Sequence, residues 1–313
     1  MMGPVLVGDI GGTNCRFATW DGHTASAVEV WPTSEEPTLA GCIARYRSLT
    51  DITPAASCVA VAGPIRDGAA TLTNSPWSGS SHDLPQPGRL INDLHAAARG
   101  VGRIGPDHRV HLGGPPPLPG DDIAVLGVGT GLGQALLVDD QVVATEGGHA
   151  NFAPANTKQD ALLRWLRAEQ GRVTIESVVS GPGLGRILRF CALEFPLSPR
   201  ALKALRHEPA GAVVFAMVAE EPACAAAQEL FLACVGSAAG DLALGSLLRG
   251  GVVLCGGVLP RIVGAARSGL LRQAFEDKPP MSALLQAMPL SLITHPHLGL
   301  IGAGVEAERL LSA

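Results

Sequence analysis

Asp9 follows the apolar run at residues 5–7 and precedes Gly11, Gly12 and Thr13, after which residues 17–20 turn apolar again. The order reads as strand, tight glycine turn, strand. A carboxylate at a strand end, beside glycines whose bare amides can close on an anion, suits a metal-bound phosphate. Asp9 would face the metal and residues 11–13 the phosphates. No Lys-Ser/Thr pair follows the glycines and they do not open a helix, so the loop is neither a Walker A loop nor a Rossmann fingerprint. The neutral alternative is an ordinary Gly-rich hairpin. The pattern returns far downstream, where an apolar run at 123–126 leads into GVGTGLG at 127–133 and a second apolar run. Two such hairpins suggest a degenerate duplication with one polyphosphate ligand clamped between the halves.

Other polar groups stand at junctions. Asn92 and Asp93 lie where a short apolar strand, from Arg89, runs into the alanine-rich helix pattern of residues 94–98. An α/β sheet presents its ligand crevice at such a junction. From position alone a helix N-cap is the favoured role for Asp93, and adjacent Asn92 and Asp93 also suit a polyhydroxyl ligand. His95 reads as structural. Glu146 and His149, separated by two glycines, can together accept and donate hydrogen bonds to sugar hydroxyls. A structural pairing or a metal site are the alternatives, the latter without a nearby third ligand. Glu176 precedes the Ser180-Gly181 turn and on its own reads as solvated. Gly256 and Gly257 end the buried-type strand at 251–255, where a flat ring such as adenine can approach the backbone, or the chain simply turns. Asn74 either touches a ligand or forms a turn.

The elements that must position these residues follow from periodicity. Strands are expected near 25–31, 57–62, 70–73 and 289–294, and helices through Leu39, Cys42, Ile43 and Tyr46, through 162–166, 223–248 and 298–311. Strands alternating with helices define an α/β class. With 313 residues, two lobes are the default. The boundaries fall at 1–104 for a small domain, joined by the C-terminal helix 299–313, and 105–298 for a large one. GGPPPLPG at 113–120 reads as the connector. Gly299, Gly302, Ala303 and Gly304 in the last helix permit close packing or a hinge.

Composition narrows the partners. Charged residues make up 16% of the chain, hydrophobic ones 47%, and the formal net charge is -5, which leaves no footprint for nucleic acid and points to a small molecule. Seven cysteines, without a C-x-x-C spacing, read as core residues of a reducing compartment. The first strand begins too early for a signal peptide, and no uncharged apolar run reaches the ~20 residues of a membrane span, so a cytoplasmic protein without a membrane partner is expected.

In order, these segments resemble the bacterial glucokinases, of the sugar kinase, heat-shock ATPase and actin superfamily. The carrying pieces are GDIGGTNCR at 8–16, AGPI at 62–65, LTN with Trp77, INDLHAAA at 91–98, GVGTGLG at 127–133, EGGH with FAP at 146–154, ESVVSGPGL at 176–184, GDLAL at 240–244, CGGVLPRI at 255–262 and HPHLGLIGAG at 295–304. They span nearly the whole chain. The resemblance implies a two-lobed, duplicated ribonuclease-H-like fold of the actin and hexokinase type, with the active site in the inter-lobe cleft. It implies that Asp93 is the catalytic base and a sugar ligand together with Asn92, Glu146, His149 and Glu176. Gly8, Asp9, Ile10, Gly11, Gly12 and Thr13 match one phosphate loop, Gly129, Thr130 and Gly131 the other, and Gly256 and Gly257 the adenosine segment. The implied activity is phosphorylation of the 6-hydroxyl of glucose by ATP with Mg²⁺, the metal held near Asp9 through water. The Cys-rich zinc motif of the related ROK kinases is absent, and a homodimer is expected. The rivals are a kinase using polyphosphate, ADP or another hexose, and a sugar-sensing regulator without turnover.

Overall fold

The computed structural model describes residues 3–72 and 76–312; Asn74, weighed above as a ligand contact, lies outside them. The chain forms two units, Met1–Gly105 with Gln141–Ala144 and His295–Ala313, and Pro106–Asp140 with Thr145–Thr294.

The first unit is built on the hairpin of β1 (Val5–Ile10) and β2 (Asn14–Trp20), extended antiparallel by β3 (Ala25–Pro32). The crossover helix α1 (Leu39–Thr50) buries Leu39, Cys42, Ile43 and Tyr46, one face at helical spacing, and Thr38 caps it by accepting the Gly41 amide at 3.1 Å. It leads to β4 (Ala56–Val61), which runs parallel to β1 and is buried throughout, as a central parallel strand must be. Three short strands, β5 (Ile65–Arg66), β6 (Ala69–Thr71) and β7 (Ser78–Ser80), form a separate small sheet before β8 (Gly88–Asn92) completes the order β3-β2-β1-β4-β8. Helix α2 (Asp93–Gly100) follows directly. Phe17 stacks on Trp31 at 5.5 Å between centroids, inside a core that includes Tyr46 and Trp77.

The second sheet begins with β9 (Arg109–Gly113), β10 (Ile123–Val128), β11 (Leu132–Val138) and β12 (Gln141–Thr145). Helices α3 (Thr157–Gln170), α4 (Ile175–Val178), α5 (Gly181–Cys191), α6 (Pro199–Ala204), α7 (Ala210–Met217) and α8 (Pro222–Ser246) precede β13 (Val252–Cys255). Then come α9 (Val263–Ala266), α10 (Leu270–Glu276), α11 (Ser282–Gln286) and β14 (Leu290–Ile293). The last helix, α12 (Leu298–Ser312), returns to the first unit. The strand order β12-β11-β10-β13-β14-β9 repeats the first sheet and adds β9 at one edge. Both sheets pair a hairpin antiparallel and continue in parallel from its first strand, so the duplication read from two glycine turns is a duplication of topology.

One expectation is corrected. The proline-rich stretch does not join the units: β9 already pairs with β14, so residues 114–120 run within the second unit from β9 to β10. Pro260 opens a 3-10 turn, Leu259–Ile262, and only the short α9 follows. Helix α8, with 25 residues, is long and apolar enough to cross a membrane by length and composition, and 72% of its most apolar window is buried inside the protein. Leu230, Phe231, Val235 and Ala239 lie in the second unit's core, which makes it a core helix.

Candidate active site

In the first unit the parallel strands end in register. Ile10 pairs with Val61 and Val61 with Asn92, so the glycine turn after β1 and the start of α2 emerge at the same sheet edge. The turn is closed by the Gly11 amide donating to the Asn14 carbonyl at 2.9 Å. Thr33 pins it from below, its hydroxyl on the Gly11 carbonyl at 2.7 Å and its amide on the Thr13 carbonyl at 3.0 Å. With those carbonyls engaged, Gly12 and Thr13 are the exposed residues of the loop, and a Cβ on Gly12 would meet nothing within 4 Å. Neither Gly11 nor Gly12 has positive φ, so left-handed backbone is not what the loop uses. Ile10 is fully buried and Gly8 packs against Phe17, so backbone is what these two offer.

Asp9 lies opposite Arg16 across the hairpin, and Arg16 Nη1 is 3.4 Å from its Oδ2. Burial pushes the Asp9 carboxyl up, against the pull of Arg16 and His297. The first turn of α12 comes over this carboxyl: a Cβ on Gly299 would be 2.9 Å from Asp9 Cγ, so glycine permits the approach. A helix N-terminus there favours negative charge.

The N-cap of α2 is Asn92, not Asp93: Asn92 Oδ1 accepts the Leu94 amide at 2.9 Å, and its Nδ2 donates to the Gly63 carbonyl at 3.3 Å. Asp93 is the first helical residue and accepts from Leu94 at 3.0 Å through one oxygen, Oδ1. Burial, and next the negative charge of Asp9, push the Asp93 carboxyl up to about 7. It is thereby a carboxylate able to take up a proton near neutral pH. His95 contacts Glu306 at 3.4 Å, the structural part read for it from the sequence.

In the second unit the turn at 129–131 joins β10 to β11, closed by the Gly129 amide on the Gly131 carbonyl at 2.9 Å. The Gly129 carbonyl accepts the Gly181 amide at 2.8 Å, which docks the start of α5 on the loop. Glu176, on α4, is not solvated: its Oε2 accepts the Leu132 amide at 2.9 Å and would lie 2.7 Å from a Cβ on Gly131. The Glu146 and His149 side chains are 81% and 58% exposed and 4.0 Å apart. Between them Gly148 lets the backbone lie on β11, where a Cβ would be 2.0 Å from the Leu132 carbonyl oxygen. The Ile175 amide donates to the Ala150 carbonyl at 2.9 Å, and Arg172 holds the His149 carbonyl at 2.7 Å and Asn151 at 3.1 Å. Leu132 therefore links the glycine turn, Glu176 and the Glu146–His149 loop into one cluster. Gly256, at φ +96, sits against the end of β10, where a Cβ would be 2.4 Å from the Val128 oxygen; Gly257 is exposed beside it.

A family model described as Glucokinase matches residues 6–310. The chain belongs to the glucokinase family. It is 36% identical to a curated glucokinase of Pectobacterium atrosepticum over 99% of this chain and 98% of that one. The crystal structure of a glucokinase from an Antarctic psychrotroph superposes with a TM-score of 0.84 at 31% identity, covering 99% of this chain and 100% of that one. A ROK family glucokinase from Streptomyces griseus, in complex with glucose and AMPPNP, shares the fold at a TM-score of 0.70 and 20% identity, over 98% of this chain and 100% of that one. The fold is the actin-like ATPase fold and the chain is a hexose kinase with glucose kinase activity.

Within this glucokinase-family chain, Asp9, the first glycine turn, Asn92 and Asp93 share one sheet edge of the first unit. Glu146, His149, Glu176, the second turn, Gly256 and Gly257 belong to the second. Arg16 and His297 gather at Asp9 without having been singled out from the sequence, and Gly299, read there as a close-packing residue, joins them. Arg16 was legible: a turn at 11–13 makes residue 16 the cross-strand partner of residue 9. His297 carried no such signal, and the partner of Gly299 was not legible, because both approaches depend on a segment nearly 300 residues away along the chain.

Proposed function

We propose that the protein transfers the γ-phosphoryl group of ATP to the 6-hydroxyl of D-glucose, giving glucose 6-phosphate and ADP. Asp93 accepts the hydroxyl proton as the oxygen–phosphorus bond forms and the bond to the ADP oxygen breaks. The observation that carries this reading is a carboxylate raised to about 7, relieved of capping by Asn92 and facing a second carboxylate, Asp9, at the same sheet edge. Asn92, Glu146, His149 and Glu176 hold the sugar hydroxyls, acceptors and donors together fixing one orientation. The turns at 8–13 and 129–131 present amides to the phosphates, and Gly256 and Gly257 admit the adenine ring to the backbone.

Asp9 fits a magnesium ion: a hard carboxylate oxygen beside a phosphate-sized glycine turn is the donor such an ion uses, with water and phosphate oxygens completing its shell. When bound, Mg²⁺ neutralises phosphate charge. The small domain 1–104 with helix 299–313 and the large domain 105–298 act as the two working lobes of a cytoplasmic homodimer. The ROK neighbour's complex with glucose and AMPPNP supports the pairing of a hexose with an adenine nucleotide. Purified protein with Mg²⁺ and ATP, ADP or polyphosphate, assayed on a panel of hexoses, should form glucose 6-phosphate fastest from ATP and glucose. A higher kcat/KM with another donor or hexose would replace this assignment.

A further inference from the structure

Helix α12 reaches two places in the first unit's sheet. At its first turn Gly299 lies against the Asp9 carboxyl, and two turns later Glu306, 1% exposed, meets charges from both sides of the junction that carries Asn92 and Asp93. Arg89 of β8 places Nη1 2.5 Å from Glu306 Oε1. Arg99 Nε and His95 Nε2 of α2 lie 2.9 and 3.4 Å from its Oε2. Strand β8 ends at Asn92 and α2 begins at Asp93, so one carboxylate grips both the strand that enters the junction and the helix that leaves it.

The rest of the α2–α12 contact is apolar and close-packed. A Cβ on Gly302 would be 1.7 Å from the Ala96 carbonyl oxygen and one on Gly100 2.9 Å from Leu298 Cδ1, so the helices meet at close range through small residues and one leucine side chain. Rotation of an eight-residue helix swings its first residue, and with it the Asp93 carboxylate. Arg99 and His95, one turn apart, add a directional polar contact by converging on one buried anion. Burial alone would push the Glu306 carboxyl up, but His95, Arg99 and Arg89 bring it down to about 2, so it stays ionised at working pH. Glu308, nearby on α12, accepts from Trp20 Nε1 and Arg103 Nη2, both at 2.8 Å, and fixes the helix to β2 and to the turn after α2.

We propose that Glu306 is a positioning residue for phosphoryl transfer, holding the β8–α2 junction so that Asp93 presents its carboxylate in one direction. The role rests on Asp93 being the base.

Glu306→Gln is the variant that tests it, with Asp93→Asn as the control. The charged and titratable groups facing Glu306 are Arg89 from β8 and Arg99 and the His95 imidazole from α2, with the neutral Cys58 thiol of β4 alongside; Asp9 of β1 faces Asp93. In folded Glu306→Gln, kcat should fall about ten- to a hundredfold with the KM for glucose little changed, since misplacement of a reacting group acts on the transition state. The ascending limb of the pH profile should also move to lower pH, because arginines left without their counter-charge favour ionised Asp93. A purely structural part would lower thermal stability and leave kcat alone, so wild-type kcat overturns the proposal, the limb reporting only the lost charge. Where Glu306→Gln yields no folded protein, Arg89→Met decides, its side chain being 52% exposed. A several-fold lower kcat at unchanged glucose KM supports the role, and wild-type kcat overturns it. Turnover retained in Asp93→Asn removes the base reading itself, a failure distinct from either outcome.

Discussion

Asp93 shows how a neighbouring residue decides a role. A lone Asp at a strand-to-helix junction is an N-cap by position, and the sequence leaves both readings open. Asn92 takes the cap, which leaves the Asp93 carboxyl half-buried and near Asp9. Two expectations follow from its elevation from 3.8 to about 7. The base must be ionised to accept a proton, so kcat/KM should rise with pH along a limb centred near 7, read from initial rates between pH 5 and 9. A limb centred near 4 would mean that another group sets the profile. For folding the sign is opposite: the Asp93 contribution to stability is fully present below 3.8 and is lost as pH rises through about 7. Asp93→Asn should therefore melt higher than the wild type at pH 8 and alike at pH 3. Glu176 was not legible alone, since nothing in its local sequence announces that it accepts the amide of Leu132, 44 positions away.

At the scale of elements, α12 carries more than its sequence suggests. Its run of small residues was legible as close packing, and Gly299, Gly302 and Gly304 lie against Asp9, the Ala96 backbone and Trp20. What they approach was not legible, because the contacts join the end of the chain to its first hundred residues. Gly302→Ala should destabilise the first unit by ~1–3 kcal/mol, as overpacking does, seen as an earlier urea transition. An unchanged transition would mean that the helices separate freely. Glu306 sets a second test. Its folded carboxyl is held near 2 against an ordinary 4.5, so its stabilisation is present above 4.5 and is lost as pH falls through about 2. Glu306→Gln should be less stable than the wild type at pH 7 by ~3–5 kcal/mol, since it leaves buried Arg99 short of its anion, and the gap should close toward pH 2.

Over the whole molecule, the glycine turns mark a topology used twice, β3-β2-β1-β4-β8 and β12-β11-β10-β13-β14. The repeat was legible because each hairpin needs a tight turn between two apolar runs. The extra strand β9 was not, since its pairing with β14 joins residues 109–113 to 290–293. The proposed base Asp93 and the proposed sugar residue Asn92 belong to the first unit, and the proposed sugar residues Glu146, His149 and Glu176 to the second. Substituting Asp93 should then act on turnover, and substituting Glu146, His149 or Glu176 on sugar binding. The most direct measurement is glucose 6-phosphate formation from ATP, Mg²⁺ and glucose by wild-type and Asp93→Asn protein, with glucose binding followed by calorimetry. The account expects wild-type glucose affinity in the variant and a turnover lower by about 10²–10⁴-fold, the contribution of a positioned base. Wild-type turnover in Asp93→Asn would contradict it.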